Sequence, residues 1–288
     1  MASYRYRIVN VFAETPWAGN PLAVFEDARG LDAAAMQTLA QQLNLSETTF
    51  VFPSARADAQ VRIFTPTYEL PFAGHPTLGT AWVLAQTLGK SHLTLEFKAG
   101  VIPVVAHEHH RMQLSANAPT YRFAPPAADM AHALGIAPEQ VAGTPRFVNT
   151  GTEQLVVPLA SAEAVQACTP DLALMNIHAK NERGIIQTLV WAWAEDDIVA
   201  RFFWVQNGQL AEDHGTGSAC ANLGGWLLAE QTTTLPLTAS MVQGHGIGRL
   251  AHLSLLIDAD KQIHVGGRVA EVGRGEFDWP DHGGNALA

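Results

Sequence analysis

Only two of the 288 residues are cysteine, Cys168 and Cys220, and no CxxC pair occurs. A scaffold stapled by disulfides and the common thiolate metal or redox motifs are therefore excluded. Charge is scarce as well. Asp, Glu, Lys and Arg make up 15% of the chain while hydrophobic residues make up 48%, which argues for a large buried fraction and against disorder. The scarcer sign is positive: 17 Lys plus Arg stand against 27 Asp plus Glu, a net of -10. A protein that grips nucleic acid through a general basic face is disfavoured, though a local cationic pocket is not. No apolar run reaches the length of about 18 residues that suggests a membrane span. The opening MASYRYRIVNVF has no apolar core of a secretory leader, so a cytoplasmic protein without a membrane segment is expected.

The chain carries instead an internal repeat. Val61 to Leu84 reads VRIFTPTYELPFAGHPTLGTAWVL, and Ala200 to Leu228 reads ARFFWVQNGQLAEDHGTGSACANLGGWLL. Each has a strand-like run, Arg62-Ile63-Phe64 or Arg201-Phe202-Phe203. Each then places a Glu five residues before a Gly: Glu69 with Gly74, and Glu212 with Gly217. The two glutamates lie about half the chain apart. Between them, Ala118 to Met130 contains three prolines and reads as the link between two halves, residues 1–118 and 119–288, with the chain ends free to cross over.

After each glycine comes a run without charge, Pro76 to Gly89 and Gly215 to Ala229. A helix apolar nearly all round has to be enclosed. Pro76 suits a first helical turn, Gly89 a C-cap and Ser218 an N-cap. Strand-like runs surround both helices. They are Tyr4–Phe12, Leu22–Phe25, Thr48–Phe52, Val61–Thr65, Leu93–Phe97, Val101–Ala106 and Arg111–Leu114 in the first half. In the second they are Phe147–Asn149, Leu155–Leu159, Thr188–Ala192, Ile198–Trp204, His252–Ile257 and Gln262–Val265. Leu31 to Leu43, opened by Asp32, reads as an amphipathic outer helix. The expected fold is α+β: two pseudo-symmetric halves, each a curled, mostly antiparallel sheet or barrel around a central buried helix.

Both central helices open in Gly-rich polar turns, Gly74-His75-Pro76-Thr77 and Asp213-His214-Gly215-Thr216-Gly217-Ser218. Backbone N–H groups and the helix dipole make such starts good anion sites. Gly74, Gly215, Thr216, Gly217 and Ser218 are thus candidate contacts for a small carboxylate; ordinary capping is the plainer alternative. Glu47 lies where a helix hands over to an apolar strand. There it is either a surface loop acid or a desolvated general acid/base. Asp213 and His75 are capping groups or further proton movers. Familiar motifs fail. Gly215-x-Gly217-x-x-Cys220 lacks the last glycine of a dinucleotide fingerprint. Ser218 has Thr216 and Cys220 where a hydrolase elbow needs glycines. His107-Glu108-His109-His110 reads as a solvated hairpin turn rather than a metal site. Tyr68, Trp82, Trp191, Trp193 and Trp204 read as packing residues.

At these residues the sequence resembles the PhzF-like family, called after the phenazine-biosynthesis isomerase. The blocks that carry the resemblance are NVFAETPWAGNPLAVF (10–25), LSETTFVFP (45–53), RIFTPTYELPFAGHPTLG (62–79), EDHGTGSA (212–219), QGHGIGR (243–249) and VGGRVAEV (265–272). They span essentially the whole chain. The resemblance implies a diaminopimelate-epimerase-like fold with its site in the cleft between the halves. It implies an isomerase that needs neither cofactor nor metal, acts on a compound like trans-2,3-dihydro-3-hydroxyanthranilate and forms a homodimer. The catalytic Glu falls on Glu47, its supporting His on His75, and the family's Asp and Ser on Asp213 and Ser218. One departure is visible: His214-Gly215 replaces the usual Pro-Ala pair beside Asp213.

Two alternatives remain beside this reading. The first is another enzyme on the same fold, a racemase or epimerase or a different proton-transfer isomerase; the racemases use one Cys at each helix start, but here those positions hold His75 and Ser218, which disfavours two-thiol chemistry. The second alternative is a non-catalytic protein that binds small carboxylates.

Overall fold

A computed structural model describes residues 1–206 and 208–280, in two compact units. The first comprises Met1–Leu114 with the chain from Arg268, and the second comprises Ser115–Gly267. The first limit thus lies four residues before the expected one, at 118. The chain from Arg268 belongs to the first unit, a crossing-over of the chain end that the sequence reading left open. The reason is backbone pairing: residues 269–279 run antiparallel to residues 2–11.

The first unit contains β1 (Ala2–Val11), β2 (Asn20–Phe25), α1 (Ala33–Leu43), β3 (Glu47–Phe52), β4 (Ala59–Phe64), β5 (Glu69–Leu70), α2 (Gly74–Leu88), β6 (His92–Phe97), β7 (Gly100–Ala106) and β8 (Arg111–Ser115). The charge-free stretch forms α2, which ends at Gly89 in the left-handed region (φ 65°), where glycine meets no Cβ penalty. Every residue from His75 to Ala85 is buried. The helix packs against β1, β2, β3, β6 and β7, so strands enclose it. The outer helix α1 opens on Asp32, whose carboxylate accepts from the Ala35 N–H at 2.8 Å. Its apolar face covers a cluster of Phe25, Phe50 and Phe64. Phe25 and Phe50 stack at 4.7 Å, and Phe64 meets Phe50 edge-on at 5.5 Å.

The second unit contains β9 (Thr120–Phe123), α3 (Ala127–Leu134), β10 (Arg146–Asn149), β11 (Glu153–Pro158), α4 (Ala162–Ala167), α5 (Leu172–His178), β12 (Gln187–Ala194), β13 (Asp197–Gln206), β14 (Gln209–Glu212), α6 (Gly217–Glu230), β15 (Leu237–Gln243), β16 (Ala251–Ile257) and the start of β17 (Ile263–Trp279). Residues 219–227 of α6 are buried, and the helix packs against β10, β11 and β16. A second core, with Phe147, Val157, Met175, Val190 and Phe203, lies beneath α3, α4 and α5.

The repeat extends to strand pairing. In the first unit the pairs β1–β2, β2–β3, β3–β4, β4–β5, β4–β6 and β6–β7 are antiparallel, parallel, antiparallel, antiparallel, parallel and antiparallel. The pairs β10–β11, β11–β12, β12–β13, β13–β14, β13–β15 and β15–β16 follow the same order. The central helix falls at the same point of each series. This is the expected α+β architecture, drawn twice.

Several local readings change. The proline-rich stretch is not a bare link: β9 and the start of α3 lie in it, because Pro119, Pro125 and Pro126 stand outside the four residues of β9, which pair with β10. The strand expected at Gln262–Val265 is the 17-residue β17, whose charges and glycines hide it from a hydropathy reading. Tyr68 is 56% exposed and is not a packing residue, whereas Trp82 and Trp191 are buried and Trp193, 39% exposed, meets the Trp191 ring edge-on at 6.1 Å. His107–His110 forms the expected exposed turn between β7 and β8. No helix among the described residues is long and apolar enough to cross a membrane.

Candidate active site

In the first unit the chain leaves α1 through Asn44 in the left-handed region and reaches Glu47, the first residue of β3. The parallel register sets Glu47 opposite Leu22 of β2. His75 is the second residue of α2. Its Nε2 lies 3.5 Å from the Glu47 Oε2, and the two side chains retain only 7% and 17% of their exposure. The pairing is preset from behind. Thr49 shares a strand face with Glu47, since alternate residues point the same way. The Thr49 and Thr80 hydroxyls are 2.8 Å apart, both fully buried, and tie β3 to α2. Glu47 and His75 are therefore brought together as expected, and Glu47 is not a solvated loop acid. The Thr49–Thr80 contact was not legible beforehand, because two threonines in apolar runs give no local signal.

In the second unit Asp213, Gly215, Thr216, Gly217 and Ser218 line the turn into α6. Both carboxylate oxygens of Asp213 accept: Oδ1 from the His214 N–H at 2.9 Å and Oδ2 from the Thr216 hydroxyl at 2.5 Å. Gln243 is fully buried and clamps the same turn. Its Nε2 donates to the Asp213 carbonyl at 2.9 Å and to the Thr216 hydroxyl at 3.0 Å, while its Oε1 accepts from the Thr216 N–H at 3.2 Å. Ser218 is not the N-cap. Thr216 holds that position and Gly217 opens the helix. The Ser218 hydroxyl accepts instead from Gln154 Nε2 at 2.9 Å. His214, the departure beside Asp213, is half-buried. Burial pulls its pKa below the usual imidazole range, Asp213 and Glu212 oppose that pull, and Arg249 adds to it.

The glutamates of the repeat have a structural task. Arg62 binds Glu69 through two bonds of 2.7 and 2.8 Å and lies 5.2 Å from the Phe64 ring centre. Arg201 binds Glu212 at 3.1 and 2.8 Å and lies 4.7 Å from the Phe203 ring. The Arg-x-Phe spacing puts both side chains on one strand face, so each Glu anchors the segment leading to its helix. Asn222, Gln154 and Gln243 escaped the sequence reading as site residues, because an isolated amide carries no pattern.

Cys168 and Cys220 are both buried. Burial pushes the Cys168 thiol up to about 12 and raises that of Cys220 as well. Neither is a thiolate near neutrality, so two-thiol stereoinversion has no basis here. Native protein at pH 8 is expected to take up no iodoacetamide over an hour, and both thiols to react after unfolding; mass spectrometry reads this. Rapid native labelling of Cys220 would contradict the assignment. Among the described residues no cluster of three or more His, Cys, Asp or Glu side chains is placed to hold a metal ion.

Comparison with known proteins decides the family. Residues 9–275 match the family profile described as phenazine biosynthesis-like protein. The chain belongs to that family, and it is an isomerase. An uncharacterized isomerase of Pasteurella multocida is 39% identical over 96% of this chain and 95% of its own length. The trans-2,3-dihydro-3-hydroxyanthranilate isomerase of Pseudomonas fluorescens is 33% identical, covering 94% of this chain and 98% of its own. The crystal structure of a Bacillus anthracis phenazine biosynthesis protein of the PhzF family superimposes with a TM-score of 0.85 at 24% identity, over 97% of this chain and 100% of that one. At that identity the likeness speaks for the fold.

Proposed function

We propose that this isomerase moves a proton within a small, cyclic, unsaturated carboxylate, and that Glu47 carries the proton. The observation that supports this most is the 3.5 Å approach of His75 Nε2 to the part-buried Glu47 carboxyl group. The Glu47 carboxylate accepts a proton from one carbon. The freed electron pair shifts along the conjugated system, and the carboxylic acid returns the proton to a second carbon. No oxidant or reductant is consumed, and substrate and product are isomers. One carboxyl group has to reach both carbons, and water has to be kept away so the proton is not lost. His75 orients Glu47. On the first unit Gly74 offers a backbone donor beside this pair; on the second, taken by itself, the turn of Asp213, Gly215 and Thr216 offers groups to polar atoms of a ligand, and Gly217 and Ser218 offer donors to a carboxylate.

Relatives named for trans-2,3-dihydro-3-hydroxyanthranilate make that compound the one to try. Turnover in deuterated water is the test, with label followed by mass spectrometry. Isomerisation with partial retention of the migrating hydrogen is the expected result. Label entering only the Cα of free amino acids would instead indicate a racemase. Binding of carboxylates without any exchange would indicate a binding protein.

A further inference from the structure

The amide network behind Ser218 has a fixed polarity. Asn222, fully buried on α6, accepts at Oδ1 from the Thr150 N–H (2.9 Å) and the Thr150 hydroxyl (2.8 Å). Its Nδ2 donates to the Thr152 carbonyl (2.9 Å) and to Gln154 Oε1 (2.8 Å). A backbone N–H can only donate and a carbonyl can only accept, so the Asn222 amide has one permitted orientation. That settles Gln154 in turn. Turning its amide over would set two N–H groups against each other. Gln154 is buried, with 1% exposure, and its Nε2 donates to Ser218 Oγ. The hydroxyl therefore already accepts a bond, and its own hydrogen has no acceptor among the described residues. Ser218 itself is only half-buried, at the second residue of α6.

We propose that Gln154, held by Asn222, fixes Ser218 as a hydrogen-bond donor and so selects a ligand that presents an acceptor oxygen there, a carboxylate or carbonyl rather than an ammonium group. This rests on the reading of Ser218 as a ligand contact. Gln154 is then a positioning residue that acts through the serine. Proton direction runs one way, from Asn222 through Gln154 and Ser218 to the ligand. A glutamate at position 154 would reverse the last protein step. It would accept from both Asn222 and Ser218, and the serine hydrogen would be spent on the protein.

Calorimetry of trans-2,3-dihydro-3-hydroxyanthranilate binding to the Glu47→Gln protein, which removes turnover, tests this. Gln154→Glu is expected to weaken binding at least about tenfold, the scale of a lost bond to a charged group. Gln154→Met, the less similar side chain, is expected to weaken it about threefold or less, because the serine stays free to donate. In a Ser218→Ala background the Glu substitution should add no further loss. In the active enzyme Gln154→Glu should raise KM with little change in kcat. Equal damage from Met and Glu, or a full extra loss in the alanine background, would mean a merely structural role and overturn the proposal. Should Gln154→Glu fail to fold, Ser218→Ala decides: a tenfold loss supports the donor role, and unchanged affinity ends it. If the compound does not bind at all, the substrate reading has failed separately, and the same variants are read against anthranilate. Affinity for anthranilate that ignores every Ser218 and Gln154 change overturns the inference, and the Glu-over-Met ordering sustains it.

Discussion

Replacing Glu47 with Gln should lower kcat/KM for isomerisation by about 1,000-fold or more while the fold and the affinity for substrate stay nearly unchanged. Gln keeps the shape and removes the carboxyl group that would carry the proton. General acid/base catalysis contributes about 100- to 10,000-fold in ordinary cases. Here a single carboxyl group both removes and returns the proton, so the loss belongs at the upper end. The side chain is already held, with its Oε2 3.5 Å from His75 Nε2 and its strand tied to α2 by Thr49 and Thr80. A circular dichroism spectrum and a melting curve would separate lost chemistry from lost structure. Wild-type turnover by the Gln variant would end the assignment of Glu47 as proton carrier.

The largest effect on stability is expected from breaking the Arg201–Glu212 pair. The two side chains keep 13% and 8% of their exposure. Arg201 Nη1 also donates to the carbonyls of Val165, Gln166 and Cys168, at 3.4, 3.1 and 2.8 Å, where α4 ends. Arg201→Met would leave Glu212 buried without its cation and strand those carbonyls. Removing one partner of a buried pair costs about 3–5 kcal/mol, to be read as a drop in the urea midpoint. The double variant Arg201→Met with Glu212→Leu should recover part of that loss, because two apolar side chains leave no uncompensated charge. A double variant less stable than Arg201→Met alone would show that Glu212 contributes through other contacts. The matching pair Arg62–Glu69 has exposures of 26% and 14%, and its Glu is shared with Lys98 at 2.6 Å. Water and a second cation soften that loss, so Arg62→Met should cost less.

Much of this architecture was legible before the structure. Two charge-free runs could only be enclosed helices, because no face of either could meet water, and α2 and α6 are enclosed. The glycines that follow a paired Glu marked where each helix begins. Other parts were hidden for definite reasons. The proline cluster masked β9, since proline excludes only its own positions from a strand and leaves the four residues between free to pair. The long β17 was masked by charges and glycines, which belong to a strand whose backbone pairs with β1 over residues 269–279. Ser218 looked like an N-cap because it precedes an apolar run, but Thr216 takes that position and Ser218 answers to Gln154.

The sequence by itself determined what is local: which stretches are helices, that the chain repeats, that histidine, aspartate and serine stand at the two helix openings, and that Glu47 stands where a helix hands over to a strand. Tertiary structure decided what those side chains touch. Glu47 meets His75 because β3 and α2 pack together in the first unit, with Thr49 and Thr80 joined between them. The direction of hydrogen bonding at Ser218 is set by Gln154 and Asn222, residues 64 and 68 apart in sequence from their partners Ser218 and Gln154. Hydrogen bonds are short-ranged and directional, so they depend on register and orientation across elements, which a one-dimensional pattern of hydrophobicity and charge does not encode.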